Sequence, residues 1–332
     1  MEITVVLAIV SAVMILTYKM IEETTRSSMF NESHNDLSIM SQAAANTLQS
    51  EVMQTRMVFE ENTLGASYRS AFTLPTGYPA WTTTLLPIID INSTLMAPDA
   101  AGTRFAGNSL LLAREMAPLT ITYDDDNNNR TPEIEFVADR YRFDYVYLSP
   151  NTTRSFSRTG LTLDLIMASS AEYADYFQLN TLTTGKGAIA TKLIAAGLQR
   201  AWDPGQPIGN AFYDLSGATD GTFNAPISSP TIPTVRRRQL LKGLLGGRIS
   251  GAMSYSVAFV PTSPRAPFPL PQSIAAFSQP DASTRPGFPA GFEAKIVGPA
   301  GNRQVMTRIL LMAHIRGRYE AQQGFVTTAA RF

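Results

Sequence analysis

Across 332 residues, 27 basic side chains balance 27 acidic ones, and there is no cysteine. A balanced charge gives no large basic field that would speak for nucleic acid as the main partner, and the lack of cysteine excludes both a disulfide framework and a thiolate metal site. Only 16% of residues are charged while Thr, Ser, Asn, Gly and Pro are abundant, the composition of an exported, β-rich and loop-rich protein with room for one large domain or two small ones behind an N-terminal helix.

Glu2 stands at the edge of an unbroken apolar run from Ile3 to Leu16. At about 1.5 Å per residue, a helix from Glu2 to Tyr18 covers most of a hydrocarbon core of roughly 30 Å. A carboxylate at the edge of such a segment is costly unless it has a partner or sits among hydrated headgroups. No Lys or Arg precedes Lys19, which argues against a cleaved secretory signal. A plain single-span anchor fits better, and a buried soluble helix least well, because such helices are amphipathic.

The protein has 22 glycines and 21 prolines, yet none falls between Met1 and Leu64. Such a gap predicts one long helix. Leu37, Met40, Ala44, Leu48, Val52 and Phe59 continue an apolar stripe at helical spacing, and Gly65 is placed to stop it. The polar stretch between, rich in Ser, Thr and Asn, predicts a bend or loosened turn from Ser27 to Asn35.

The segment MEITVVLAIVSAVMILTYKM resembles the N-terminus of type IV pilins and type II secretion pseudopilins, which share a glutamate early in a hydrophobic helix. Glu2 matches that glutamate, and Val5, Val6, Leu7, Ile9, Val10 and Val13 fall in the apolar run that follows. The resemblance covers about the first tenth of the chain. It implies a structural subunit, not an enzyme, that rests in the bacterial inner membrane and then joins an extracellular pilus or periplasmic pseudopilus, as a homo-oligomer or with other pilins. Motility and cell adhesion are the family's roles, and the large globular part is similar to PilW-like minor pilins. It also implies that Glu2 pairs with the free amino terminus of a neighbouring subunit and so penalises wrong registers. Two features depart from the family: its glutamate lies three residues further into the mature chain, behind a leader ending in glycine, and its helix-loosening Gly or Pro is missing here. The alternative is a singly anchored envelope enzyme or binding protein whose N-terminal helix is only a tether.

The expected fold class is α+β. A membrane or filament-core segment (1–27) and an amphipathic helical half (28–64) precede an antiparallel β head (65–332) with long loops. Strands are predicted at Ser109–Ala113, Leu119–Tyr123, Glu133–Ala138, Arg142–Leu148, Gly160–Ile166, Met253–Val260 and Phe292–Val297, with a long final strand at Val305–Ile315. Helical patches are predicted at Gly187–Trp202 and Val235–Leu245, the latter carrying Arg236, Arg237, Arg238 and Lys242 on a face that is either solvated or in contact with an anionic surface or DNA. From Pro261 to Pro289 eight prolines rule out a central strand, so 261–291 reads as a surface loop or extended wrap.

Within YDDDNNNRTPEIEF, Asp124, Asp126 and Asn128 occupy positions one, three and five of a loop, Arg130 offers a backbone carbonyl at seven, and Glu135 stands at twelve. That is the calcium order of an EF-hand loop, here flanked by strands instead of helices. Both a Ca²⁺ site and a plain solvated hairpin turn fit this stretch. Histidines number two, His34 and His314, and neither HExxH, the GxSxG elbow nor a phosphate loop is present. The acid pairs Asp139 with Asp144 and Asp164 with Glu172 are no better than ordinary surface carboxylates.

Overall fold

The computed structural model describes residues 2–60, 62–74, 109–123, 134–151, 162–220, 222–244, 292–299, 303–315 and 318–329. In chain order these form α1 (Glu2–Met53), β1 (Thr55–Val58), α2 (Thr63–Ala71), β2 (Phe72–Thr73), β3 (Ser109–Tyr123), β4 (Ile134–Asn151) and β5 (Thr162–Asp175). There follow α3 (Tyr176–Asn180), α4 (Lys186–Ala195), β6 (Arg200–Trp202), α5 (Ile208–Ala211), β7 (Phe212–Asp214), β8 (Ile232–Leu244), β9 (Phe292–Val297), β10 (Gln304–Ile315) and β11 (Arg318–Ala329).

The protein is α+β, with an N-terminal apolar helix and a curled mixed sheet carrying shorter helices. The larger sheet runs β1-β3-β4-β5-β6-β7, and β8 joins it by pairing with β5 and β2. Most pairings are antiparallel, but β5–β6 and β2–β8 are parallel. The purely antiparallel arrangement expected from the sequence is therefore not what forms. Along its second edge β5 changes partner, taking β8 over Leu163–Ser170 and β6 at Ala174 and Asp175. Bulges interrupt the β5–β8 register at three places, which lets the sheet twist and divide there. A second sheet, β9-β10-β11, is antiparallel throughout.

Strand alternation explains the core. Tyr141, Phe143, Tyr145 and Tyr147 stand two residues apart on β4, all buried. Phe59, Tyr68, Trp202 and Phe212 join them in one aromatic cluster, with Phe143 and Trp202 ring centroids 5.0 Å apart and edge-on. The other large cluster gathers α4 residues Ile189 and Leu193 with Ile121, Ala138, Ala174 and Leu215. Burial of each such aromatic or aliphatic side chain contributes on the order of 1.5–3 kcal/mol.

Several elements differ from the sequence expectation. α1 is helical throughout 27–35 instead of loosening there; just before it, the Thr24 and Thr25 hydroxyls donate to the carbonyls of Met20 and Ile21 (2.8 Å each) within the helix instead of competing with it. It ends at Met53, eleven residues before the expected stop, and Thr55–Val58 becomes an edge strand on β3. Phe59 is buried, as its place in the stripe suggested, but from the residue just after β1, where its amide donates to the Leu111 carbonyl (3.1 Å), rather than from a helix.

Gly65 lies inside α2 and ends nothing. A Cβ there would fall 2.1 Å from the Glu60 carbonyl oxygen, so the glycine permits a close crossing of the chain. Asn62 caps α2 by accepting from the Gly65 amide (2.7 Å), and the buried Arg69 donates to the Phe59 and Glu60 carbonyls at 3.0 and 2.9 Å. The helix expected at 187–202 stops at Ala195 and gives way to β6. The helix expected at 235–245 is β8, since pairing with β5 outweighs the helix-forming tendency of its Arg, Leu and Lys residues. The short strands expected at 109–113 and 119–123 merge into β3, those at 133–138 and 142–148 into β4, and β10 is followed by a further strand. The strand at 253–260 and the proline-rich 261–291 lie outside the described residues.

Candidate functional site

The two halves of α1 meet different surroundings. Ala44, Ala45, Leu48 and Val52 are buried, and the helix lies against β10 and β11 and on the edges of β3 and β8. Its last turn is fixed by charge. Glu51, almost wholly buried, accepts from Arg114 of β3 and from Arg238 of β8 (2.8 Å). The last turn of α1 contains no basic residue, so these two sheet arginines supply the cations that a helix C-terminus favours. The Thr55 hydroxyl donates to the Glu51 carbonyl (2.9 Å), and the Glu115 amide to that of Gln54 (2.9 Å), satisfying carbonyls that the helix end leaves open. Arg238, expected on a solvated helix face, is thus a docking residue.

Ile3–Ser28, by contrast, is long and apolar enough to span a membrane or serve as a signal anchor, and none of it is buried. Val5, Val6, Leu7, Ile9, Val10 and Val13 are all exposed, and so are Met14, Ile15 and Leu16 on other sides of the helix. The hydroxyls of Ser11 and Thr17 donate to the carbonyls of Leu7 and Val13 at 2.8 Å, so neither needs water. Glu2 is the first residue of this helix.

Of the expected calcium ligands, Asp124, Asp126, Asn128 and Arg130 lie outside the described residues. Glu135 is exposed on β4, opposite Thr122 of β3, so the acidic stretch joins two paired strands as the flanks suggested. His34 and His314 fall in α1 and β10. The acid pair Asp139 with Asp144 separates: Asp144 is fully buried, held by Arg142 (3.0 Å) and the Ser169 hydroxyl, while Asp139 faces a cleft elsewhere. Glu172 pairs with Arg140 (2.7 Å). Among the described residues, no three His, Asp or Glu side chains converge as metal ligands do.

That cleft, of about 640 Å³, crosses the sheet from Arg56 on β1 past Glu115 on β3 and Asp139 and Tyr141 on β4 to Asp175 at the end of β5 and Asp203 just after β6. Its walls include Phe177 and Gln178. Asp175 accepts from the Tyr141 hydroxyl (2.8 Å) and the Gln178 amide (2.9 Å), and Asp139 accepts from the Gln178 side chain (2.6 Å). Burial, and then the bond to Asp175, push the Tyr141 hydroxyl well above the usual tyrosine range. Burial and the nearby Asp175 raise the Asp203 carboxyl above its ordinary value. Sequence reading missed this cleft. Its side chains come from five strands or strand ends, and no local motif joins them.

Comparison with protein-family models, curated proteins and solved structures found no match for this chain.

Proposed function

We propose that this chain is a structural subunit of a type IV pilus-like filament, a pilin or pseudopilin held in the bacterial inner membrane by the first half of α1 before assembly. The observation that carries the reading is the unburied segment Ile3–Ser28, apolar on every side from Ile3 to Leu16 and continuous with a half that is docked on the sheets. A helix apolar all round needs apolar surroundings, and each large side chain on it stands to gain on the order of 1–2 kcal/mol from lipid or from neighbouring helices. A filament core offers those neighbours, while the sheets form the displayed head. In this reading Glu2 sets the register by pairing with a neighbour's amino group. The test is Glu2→Ala and Glu2→Leu: both variants insert in membranes as before, while filaments counted by electron microscopy are lost. Normal filaments from both would remove the register role.

A second reading, a singly anchored envelope binding protein, draws on the acidic cleft. In either case we propose that Asp124, Asp126, Asn128, Arg130 and Glu135 hold Ca²⁺ between β3 and β4. Chelator then lowers the melting temperature of the protein, and Asp126→Ala abolishes that sensitivity; an unmodified protein indifferent to calcium would eliminate the site.

A further inference from the structure

We propose that the cleft between Arg56 and Asp203 is a binding site for an organic cation, a guanidinium or ammonium group at the end of an alkyl chain. Among the described residues, four carboxylates, Glu115, Asp139, Asp175 and Asp203, line it against one guanidinium, that of Arg56. An excess of negative charge alone selects nothing, but Asp203 is different in kind. It is only 9% exposed, it lines the cleft, and its carboxylate has neither a hydrogen-bond donor nor a cation partner among the described residues. Its carboxylate oxygens are not enclosed but open on the cleft, where a ligand can reach them.

Its position is nonetheless rigidly set. The Asp203 amide donates to the Ala211 carbonyl (2.8 Å), and the turn that follows passes through Gly205 at φ 86°. The Gln206 carbonyl accepts from the Tyr68 hydroxyl (3.0 Å), which in turn accepts from the Trp202 indole (2.9 Å). Tyr141 rests edge-on against Trp202, 5.1 Å between ring centroids. Asp139 and Asp175, in contrast, are already partly satisfied by Gln178 and Tyr141. The site therefore holds one pre-ordered acceptor in its wall with no partner among the described residues, and two partly occupied ones line the same cleft. This is an arrangement that a charge-assisted hydrogen bond from a ligand would complete.

The walls favour an organic cation over a metal ion. Phe177 is 68% exposed at the cleft, and Pro204 lies beside it, giving an aromatic face and an apolar edge along which an alkyl stem can lie while its charged head reaches inward. The volume is also in the range of small-ligand pockets. Such a group has two sources, a free small amine or guanidine, or a basic side chain on a protein strand. The exposed Arg236 and Arg237 of this chain's own β8 are examples of the second.

The test is isothermal titration of the full chain in detergent micelles with agmatine and, separately, with a peptide of the sequence Val235 to Gln239. Saturable binding of at least one probe is expected, weakened about tenfold or more by Asp203→Asn and a few-fold by Phe177→Ala, and unchanged by Glu172→Gln outside the cleft. The tighter probe identifies the source. Because Phe177 is exposed, its variant remains informative even if the Asp203 variant fails to fold. Binding of neither probe, binding indifferent to both cleft variants, or displacement of the probe by calcium at equal concentration would each overturn the proposal.

Discussion

The two halves of α1 share one backbone but obey different rules. From Ala44 to Val52 a stripe of small and medium apolar residues faces protein and the opposite side faces water, with Glu51 anchored to Arg114 and Arg238. From Ile3 to Leu16 there is no stripe at all, since every side is apolar and every side is exposed, and polar residues with a Glu22–Arg26 ion pair follow before Ser28. The docked half is complementary to one neighbour in one orientation; the free half is suited to an environment that is apolar in all directions. The difference separates what keeps the head folded from what the helix offers to its surroundings.

That separation is open to three tests of folding. The largest effect is expected from Leu48→Ala, which empties a fully buried position and lowers unfolding free energy by about 2–5 kcal/mol in urea titration. Glu51→Ala comes next. It leaves two arginines without their acid, but Arg238 is 42% exposed and hydrates, so a loss of about 2 kcal/mol is expected, partly suppressed when Arg238→Ala is added. The smallest effect belongs to Val6→Ser, which should leave the urea midpoint of the head unchanged within about 0.5 kcal/mol. A large destabilisation by Val6→Ser would show that the free half packs on the head after all and would break the comparison.

How much of this was legible depended on how local each signal was. The apolar run and the absence of Gly and Pro foretold a long helix, and the stripe identified Ala44, Leu48 and Val52 correctly. The same stripe carried the expectation past Met53, because Phe59 happens to keep the helical phase while Thr55–Val58 pairs with β3. What terminates the helix is a sheet edge supplied by residues more than fifty positions later, which no local pattern announces. β8 misled for the same reason: its Arg and Leu residues suit a helix, and only the edge of β5 makes them a strand. The cleft was invisible because Asp139, Asp175 and Asp203 look like ordinary surface acids until β4, β5 and β6 are aligned.

The unbroken course of α1 has a mechanical side. A continuous helix of 52 residues is a rod about 78 Å long. A pull on its apolar end is carried along the backbone to Glu51, where the ion pairs to β3 and β8 and the packing against β10 and β11 are loaded together in shear. Contacts loaded in parallel share the force and give way collectively, whereas contacts in series peel one at a time. The clamp sits at the far end of the rod, so tension reaches the fold as a shared load on several strands.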